Sequence, residues 1–329
     1  MWIIKCIRAC YDIGMSNKTF LSGVQPSGRL HIGNYFGAMK QFVDLQKDYK
    51  GYIFIADYHA LHSLRNPKEM KENIINIILD YLAVGLDPEK IVLFKQSNIS
   101  EHTELAWIFD TITTMPYLMR AHAFKDAEAK NKEIDVGTFN YPILMAADIL
   151  LYEPDMVPVG LDQKQHVEIA RDIAQKFNKI FGETFKLPEP FILKDVAIVP
   201  GSDGRKMSKS YKNYLPLFAE HDEIKKYVMG IVTDSSQGIP ENVYAIHKLF
   251  RPDNELLPLY KEKSGKYKEL KELLVEDIEK FIAPLRENRK ILANDLPKVL
   301  KILEQGNKKA KELASKKMEE VRQKIGVTF

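Results

Sequence analysis

Two short tracts carry the residue types that handle phosphate. The first is Gln25-Pro26-Ser27-Gly28-Arg29-Leu30-His31-Ile32-Gly33-Asn34. It follows a β-type run, Thr19–Val24, and opens a helical pattern. A helix N-terminus offers unpaired N–H groups and partial positive charge, which suit a phosphate. Gly33 would let a nucleotide approach the backbone with no Cβ in the way. His31 and Asn34 would donate to phosphate or ribose oxygens. Alone, this is also how an ordinary strand–turn–helix junction looks. The second tract is Lys206-Met207-Ser208-Lys209-Ser210. Its lysines would neutralise charge on a leaving pyrophosphate, and Ser208 and Ser210 would donate to its oxygens. Gly201-Ser202-Asp203-Gly204 before it reads as a hinge. Alone, a Lys/Ser pentamer is usually a polar surface loop. Neither GxxxxGK[ST] nor GxGxxG occurs, so P-loop and dinucleotide readings have no support.

A third tract runs from Tyr141 to Leu151 and places Asp148 in an apolar helical pattern. A buried carboxylate is costly unless paired. An indole N–H would offset that cost, and so would a helix cap or an internal salt bridge. Val157-Pro158-Val159-Gly160-Leu161-Asp162-Gln163 follows. No nucleophile–base constellation is evident, so chemistry would rest on positioning and charge stabilisation.

These tracts need a frame. Apolar Phe36, Met39, Phe42 and Val43 predict a helix over 33–45. Tyr52–Ile55, Ile91–Phe94 and Met156–Val159 read as strands. Pro67 opens a helix ending near Gly85. Further helical patterns cover Thr103–Ile112, Leu118–Lys130 and Lys164–Phe181. Uninterrupted apolar strands alternating with helices predict a parallel sheet covered on both faces. Ligands then bind at the carboxyl ends of the strands. After Pro216 strand signals vanish and charged helical patterns run to the end. The Lys/Glu-rich tail, Lys308–Lys324, predicts a solvated helix docked by one narrow apolar stripe.

The 329 residues are 45% hydrophobic, enough for one large domain and a smaller one. A net charge of +3 means that nucleic acid would have to meet a local basic surface. Only Cys6 and Cys10 are present, too few for a structural zinc or iron–sulfur site. Low cysteine use fits a reducing cytosol. Lys5 and Arg8 interrupt the first apolar run, which makes a poor signal peptide, and no stretch could span a bilayer. Residues 1–17 are set apart as an N-terminal extension.

The first two tracts, in this order and at this spacing, resemble class I aminoacyl-tRNA synthetases. Residues 141–163 narrow the resemblance to the bacterial tryptophanyl-tRNA synthetases. It implies an α/β fold: a Rossmann-like doubly wound parallel sheet at 18–215, with a helical dimerisation insertion around 97–130. An all-helical C-terminal domain, 216–329, would bind the tRNA anticodon. The implied reaction activates L-tryptophan with ATP and Mg²⁺ and then charges tRNA(Trp). ATP would meet Gln25, Pro26, Ser27, Gly33, Asn34, Gly160, Leu161, Asp162, Ile198, Lys206, Met207, Ser208, Lys209 and Ser210. His31, Asn34, Lys206 and Lys209 would carry the catalysis. Asp148 would read the indole nitrogen, with His59, Tyr141, Met145, Val157, Val159 and Gln163 around the amino acid. No resident metal, zinc or iron–sulfur cluster is implied.

The resemblance further implies a cytoplasmic homodimer with no membrane contact. Ser97–Arg120, with Trp107, Phe109, Met115 and Tyr117 expected exposed, would lie in or near the interface. Lys308, Lys309, Lys311, Lys316 and Lys317 would contribute phosphate contacts to tRNA. One departure stands out. Phe124-Lys125-Asp126-Ala127 has Ala127 where the family often has a second lysine, so Lys125 or Lys130 would have to replace it. Two rivals share features: a tyrosyl-tRNA synthetase, and a non-catalytic tRNA or nucleotide binder. The residues around Asp148 favour tryptophan, and the intact His31, Gly33, Asn34, Lys206 and Lys209 favour catalysis.

Overall fold

The computed structural model describes residues 18–129, 134–160, 163–192, 199–233 and 238–328. Cys6, Cys10, Lys130, Leu161, Asp162 and Ile198 lie outside that set.

Short apolar runs form the sheet. Strands β1 (Thr19–Val24), β2 (Lys50–Ile55) and β3 (Ile91–Lys95) pair in parallel, with Leu21 opposite Tyr52 and Tyr52 opposite Val92. Strand β4 (Val157–Val159) pairs in parallel with β5 (Pro190–Ile192). A parallel bridge joins Phe20 to Met156, and the Leu21 N–H donates to the Met156 carbonyl at 3.2 Å. The order across the molecule is therefore β3-β2-β1-β4-β5. The chain leaves β1 to one side and returns at β4 on the other, which opens a crevice at the carboxyl ends of β1 and β4. Successive strand residues point to opposite faces. Phe20, Ile53, Ile55, Ile91 and Leu93 feed one core, while Leu21, Tyr52, Phe54, Val92 and Phe94 feed the other.

The helix expected over 33–45 is interrupted. Helix α1 (Ile32–Asn34) passes into a π turn at Tyr35–Met39 before α2 (Lys40–Leu45). Helix α3 (Asp57–Ala60) follows β2. Helix α4 (Pro67–Ala83) starts where the Asn66 side chain accepts from the N–H groups of Lys68 and Glu69. The pattern expected over 118–130 divides into α6 (Met115–Leu118) and α7 (His122–Ala129), after α5 (Glu101–Ile112). Leu118 and Ala121 both enter the core, so the chain turns between them rather than continuing straight. Helix α8 (Val136–Leu150) is capped by Asp135, which accepts from the Thr138 N–H at 2.7 Å. Helix α9 (Lys164–Phe181) keeps the expected bounds.

In the insertion, Phe109 is fully buried against Phe177 and Phe185, contrary to its expected exposure. It shares one face of α5 with Leu105, one turn earlier, and that face packs on α9. Tyr117 is half-buried and its hydroxyl donates to Asp172 at 2.6 Å. Trp107 and Met115 are exposed, at 71% and 66%.

The C-terminal helices are α10 (His221–Met229), α11 (Glu241–His247), α12 (Asp253–Glu262), α13 (Tyr267–Ala293) and α14 (Leu296–Ile325). Leu270, Leu274, Ile278 and Ile282 of α13 join the core that holds Ile77, Ile78 and Tyr81 of α4. Arg289 fixes the same contact through Asp80 at 2.5 Å and Asn76 at 2.8 Å. Helix α14 lies along β3, with Val299, Leu303, Gly306, Ala310, Ala314, Met318 and Val321 as its buried stripe. A Cβ on Gly306 would sit 1.8 Å from the Leu93 carbonyl oxygen. Beside it, Asn307 Oδ1 accepts from the Lys95 backbone N–H at 2.8 Å. Lys311 pairs with Glu101 at 2.6 Å and Lys317 with Glu153 at 2.9 Å. Those two lysines are thus held by carboxylates, whereas Lys308, Lys309 and Lys316 are exposed. Among the described residues, no helix is long and apolar enough to cross a membrane.

Candidate active site

The crevice holds a cavity of about 630 Å³, bordered by Val24 and Gln25 after β1 and by Val159 and Gly160 after β4. One end gathers the phosphate-type residues. Gln25, Ser27, His31, Gly33, Asn34, Lys206, Met207 and Ser208 all line it. Asn34 Oδ1 accepts from the His31 backbone N–H at 3.0 Å and so caps α1. Its amide N–H₂ can still donate to a ligand. Gly33 lines the cavity and also leaves room for a neighbouring side chain. A Cβ there would meet His31 Nδ1 at 2.9 Å, so the imidazole lies against the glycine. Burial, helped by the Lys209 charge, holds the His31 pKa down to about 4. His31 is therefore neutral near pH 7, and its buried Nδ1 has no hydrogen-bond partner. The π turn widens the backbone and brings Gly37 and Ala38 to the cavity wall.

The second tract closes over this end. Met207 N–H donates to the Val199 carbonyl at 2.9 Å and Ser208 N–H to Asn213 Oδ1 at 2.8 Å. Lys209 Nζ reaches back to the Ser27 carbonyl at 2.7 Å, which ties the two tracts together. Burial lowers the Lys209 pKa, and the Asp80 charge opposes that shift. Ser210 Oγ lies 2.8 Å from Ser208 Oγ. Pro26, Lys209 and Ser210 flank the cavity without lining it. The turn 201–204 before the tract is tied to Asn213. Ser202 N–H donates to the Asn213 carbonyl at 3.0 Å, and Asn213 Nδ2 donates to Asp203 at 2.6 Å. Asn213, three residues beyond the tract, carried no signal in the sequence.

The other end is apolar and takes up His59, Tyr141, Met145, Asp148, Val157, Val159 and Gln163, with Phe54, Ala56 and Ile149 unanticipated. The Tyr141 hydroxyl lies 2.6 Å from His166 Nε2. Asp148 is fully buried yet borders the cavity. Its carboxylate accepts from His59 Nε2 at 2.7 Å, from His102 Nδ1 at 2.6 Å and from Gln96 Nε2 at 2.8 Å. The internal pairing left open by the sequence is thus realised at the cavity wall. Burial pushes the Asp148 carboxyl up, but the hydrogen bonds from His102 and His59 prevail and hold it at about 2. Gln96 and His102 went unnoticed because they stand at a strand end and a helix start, where polar residues are commonplace. Lys125 is exposed on α7 and does not reach the cavity, while Ala127 faces the core.

This geometry has known counterparts. The family model for class I tRNA synthetases (W and Y) matches residues 16–323. A tryptophan–tRNA ligase of Fusobacterium nucleatum is 50% identical over 319 residues, covering 94% of this chain and 98% of that protein. That of Rhodopirellula baltica is 47% identical, covering 93% and 99%. The structure of Campylobacter jejuni tryptophanyl-tRNA synthetase complexed with ADP and tryptophan superposes with a TM-score of 0.87 at 43% identity, covering 94% of this chain and 99% of the other. With the sheet order, the crevice and both phosphate tracts in agreement, the chain belongs to the bacterial tryptophanyl-tRNA synthetases of the class I family.

Proposed function

We infer that this protein is a tryptophan–tRNA ligase whose cavity binds MgATP over its polar end and L-tryptophan in its apolar end. The observation that carries the residue assignments is Asp148. It is an ionised acceptor in the wall of an otherwise apolar subsite, where an indole N–H would find its partner. Tyr141, Met145, His59, Val157, Val159 and Gln163 surround the amino acid in this reading.

The tryptophan carboxylate attacks the α-phosphorus of ATP, the bond to the bridging oxygen breaks, and pyrophosphate leaves. The nucleophile is already ionised, so no base is required. Charge builds on the pyrophosphate, and Lys206, Lys209, the α1 N-terminus and Mg²⁺ carried in with ATP stabilise it. Neutral His31 donates one N–H without adding charge. In the second step the 2′-hydroxyl of the terminal adenosine of tRNA(Trp) takes the acyl group and AMP leaves. The reaction belongs to the cytoplasm.

A homodimer fits the same surface. A shallow groove lined by Leu61, Trp107, Val136 and Tyr141 adjoins the tryptophan end. Tyr141 borders both the groove and the cavity, so a partner seated there would brace the amino-acid pocket. Pyrophosphate exchange across all amino acids tests the assignment. Exchange should depend on tryptophan, and equal or greater exchange with tyrosine would overturn it.

A further inference from the structure

The carboxylate of Asp148 is gripped from behind by residues that never touch the cavity. Of its donors, only His59 lines the cavity; Gln96 and His102 do not. A carboxylate only accepts, so His102 Nδ1 carries the hydrogen in that 2.6 Å contact. The far nitrogen, Nε2, lies 2.9 Å from the Tyr152 hydroxyl. The Tyr152 hydroxyl, which can donate or accept, holds that nitrogen and so fixes the ring's orientation. Tyr152 is itself immobilised, stacked on Tyr52 at 5.9 Å and tilted against Phe94 at 5.1 Å. Phe54 and Phe94 hold the His102 ring from its other sides, at 6.0 and 6.3 Å. His102 has no solvent exposure, so water cannot supply an alternative partner.

The geometry points to His102, set by Tyr152, as a positioning residue that aims the Asp148 carboxylate and thereby determines selection for the indole N–H. This rests on the reading of Asp148 as the indole acceptor. His102 holds Oδ1 at 2.6 Å while Gln96 Nε2 bridges Oδ1 and Oδ2 at 2.8 and 3.0 Å, so His102 is the donor that distinguishes the two oxygens on the side away from the cavity. Without His102, the freed oxygen would seek Gln96 alone and the acceptor would lose its fixed direction. Selection should then fall while the phosphate end is untouched.

The experiment compares tryptophan with its isostere bearing sulfur in place of the indole N–H, by kcat/KM in pyrophosphate exchange. His102→Leu keeps the bulk and removes the donor. His102→Asn keeps an N–H near the position of Nδ1. His102→Leu should cut the preference for tryptophan over the isostere by about ten-fold or more, the scale of one hydrogen bond to a charged group. His102→Asn should restore most of it, and the KM for ATP should stay constant in both. If His102→Leu slows both substrates equally, or leaves the preference intact, the positioning role is overturned. Tyr152→Phe covers the case in which His102→Leu does not fold: a reduced preference supports the inference and an unchanged one overturns it. Asp148→Ala separates the two levels. If it leaves the preference intact, the acceptor assignment itself fails. If it abolishes the preference while the His102 and Tyr152 variants do not change it, only the positioning role fails.

Discussion

Asp148 stays ionised without solvent because N–H donors replace its water, and substitutions there separate shape from charge. Asp148→Asn keeps the volume but turns an N–H₂ group toward His102, Gln96 or His59, all of which donate. We expect lower tryptophan kcat/KM and weaker discrimination against phenylalanine. Asp148→Ala should do more harm, because it strands those donors in a buried site. Unchanged selectivity in Asp148→Ala would remove the residue from the recognition role. Lys209 acts at the other end, on charge that develops only during reaction. Lys209→Ala should slow adenylate formation by about 10²–10³-fold with tryptophan binding nearly unaltered. A rapid-quench rate beside an equilibrium titration distinguishes that from a binding defect. His31 gives a pH signature. Its folded pKa of about 4 is below the ordinary 6.5, so the unfolded chain binds the extra proton first. Stability should decline as pH falls from about 6.5 to 4, and His31→Gln should flatten that slope in urea titrations. The cavity-lining residues were largely legible because their types are chemically specific. Their supports were not. Gln96 and His102 acquire meaning only through Asp148, far away in sequence, and Asn213 only through the folding of the loop before it.

At the level of elements, legibility followed period and length. Helix α9 and the strands β2 and β3 emerged from strong patterns. The π turn did not, because an added residue per turn barely disturbs an apolar repeat over so few positions. Strand β5, Pro190–Ile192, is too short to show a period. Phe109 was misplaced because aromatic content says nothing about which face of α5 turns inward. The junction of α14 with β3 is a sharp steric test. Gly306→Ala would put its methyl group into the Leu93 carbonyl, so the helix must lift away. A loss of about 1–3 kcal/mol is expected from such overpacking. It should be visible as a lower melting temperature, with no change in KM for ATP, and an unaltered melting point would mean that α14 is not seated there.

For the whole molecule, two surfaces remain for partners. Trp107 is exposed and lines the groove that shares Tyr141 with the cavity, the kind of aromatic that interface centres favour. Trp107→Asp should convert a dimer into a monomer in light scattering at micromolar concentration and raise the KM for tryptophan through Tyr141. A monomeric parent protein would refute the dimer. The exposed lysines Lys308, Lys309 and Lys316 face outward from α14, while Lys311, Lys317 and Arg322 are paired to Glu101, Glu153 and Glu104 on the body of the protein. If they meet tRNA phosphates, charging should weaken steeply with salt while tryptophan activation stays level. Their joint replacement by glutamine should make the salt slope shallower, and an identical slope would exclude them.

The position of α14 also sets an order of assembly. Strand β3, from Ile91 to Lys95, is made well before the helix that lies along it, Leu296–Ile325. Until Leu296–Ile325 leaves the ribosome, that strand presents unpaired backbone groups, which invite pairing with other chains. A nascent chain arrested at Asp295 is therefore expected to need chaperone shelter, and to pellet when released without it, while the finished chain stays in the supernatant. Translation of α14 would decide not the cavity lining, which is complete by Ser208, but whether the sheet that carries it survives.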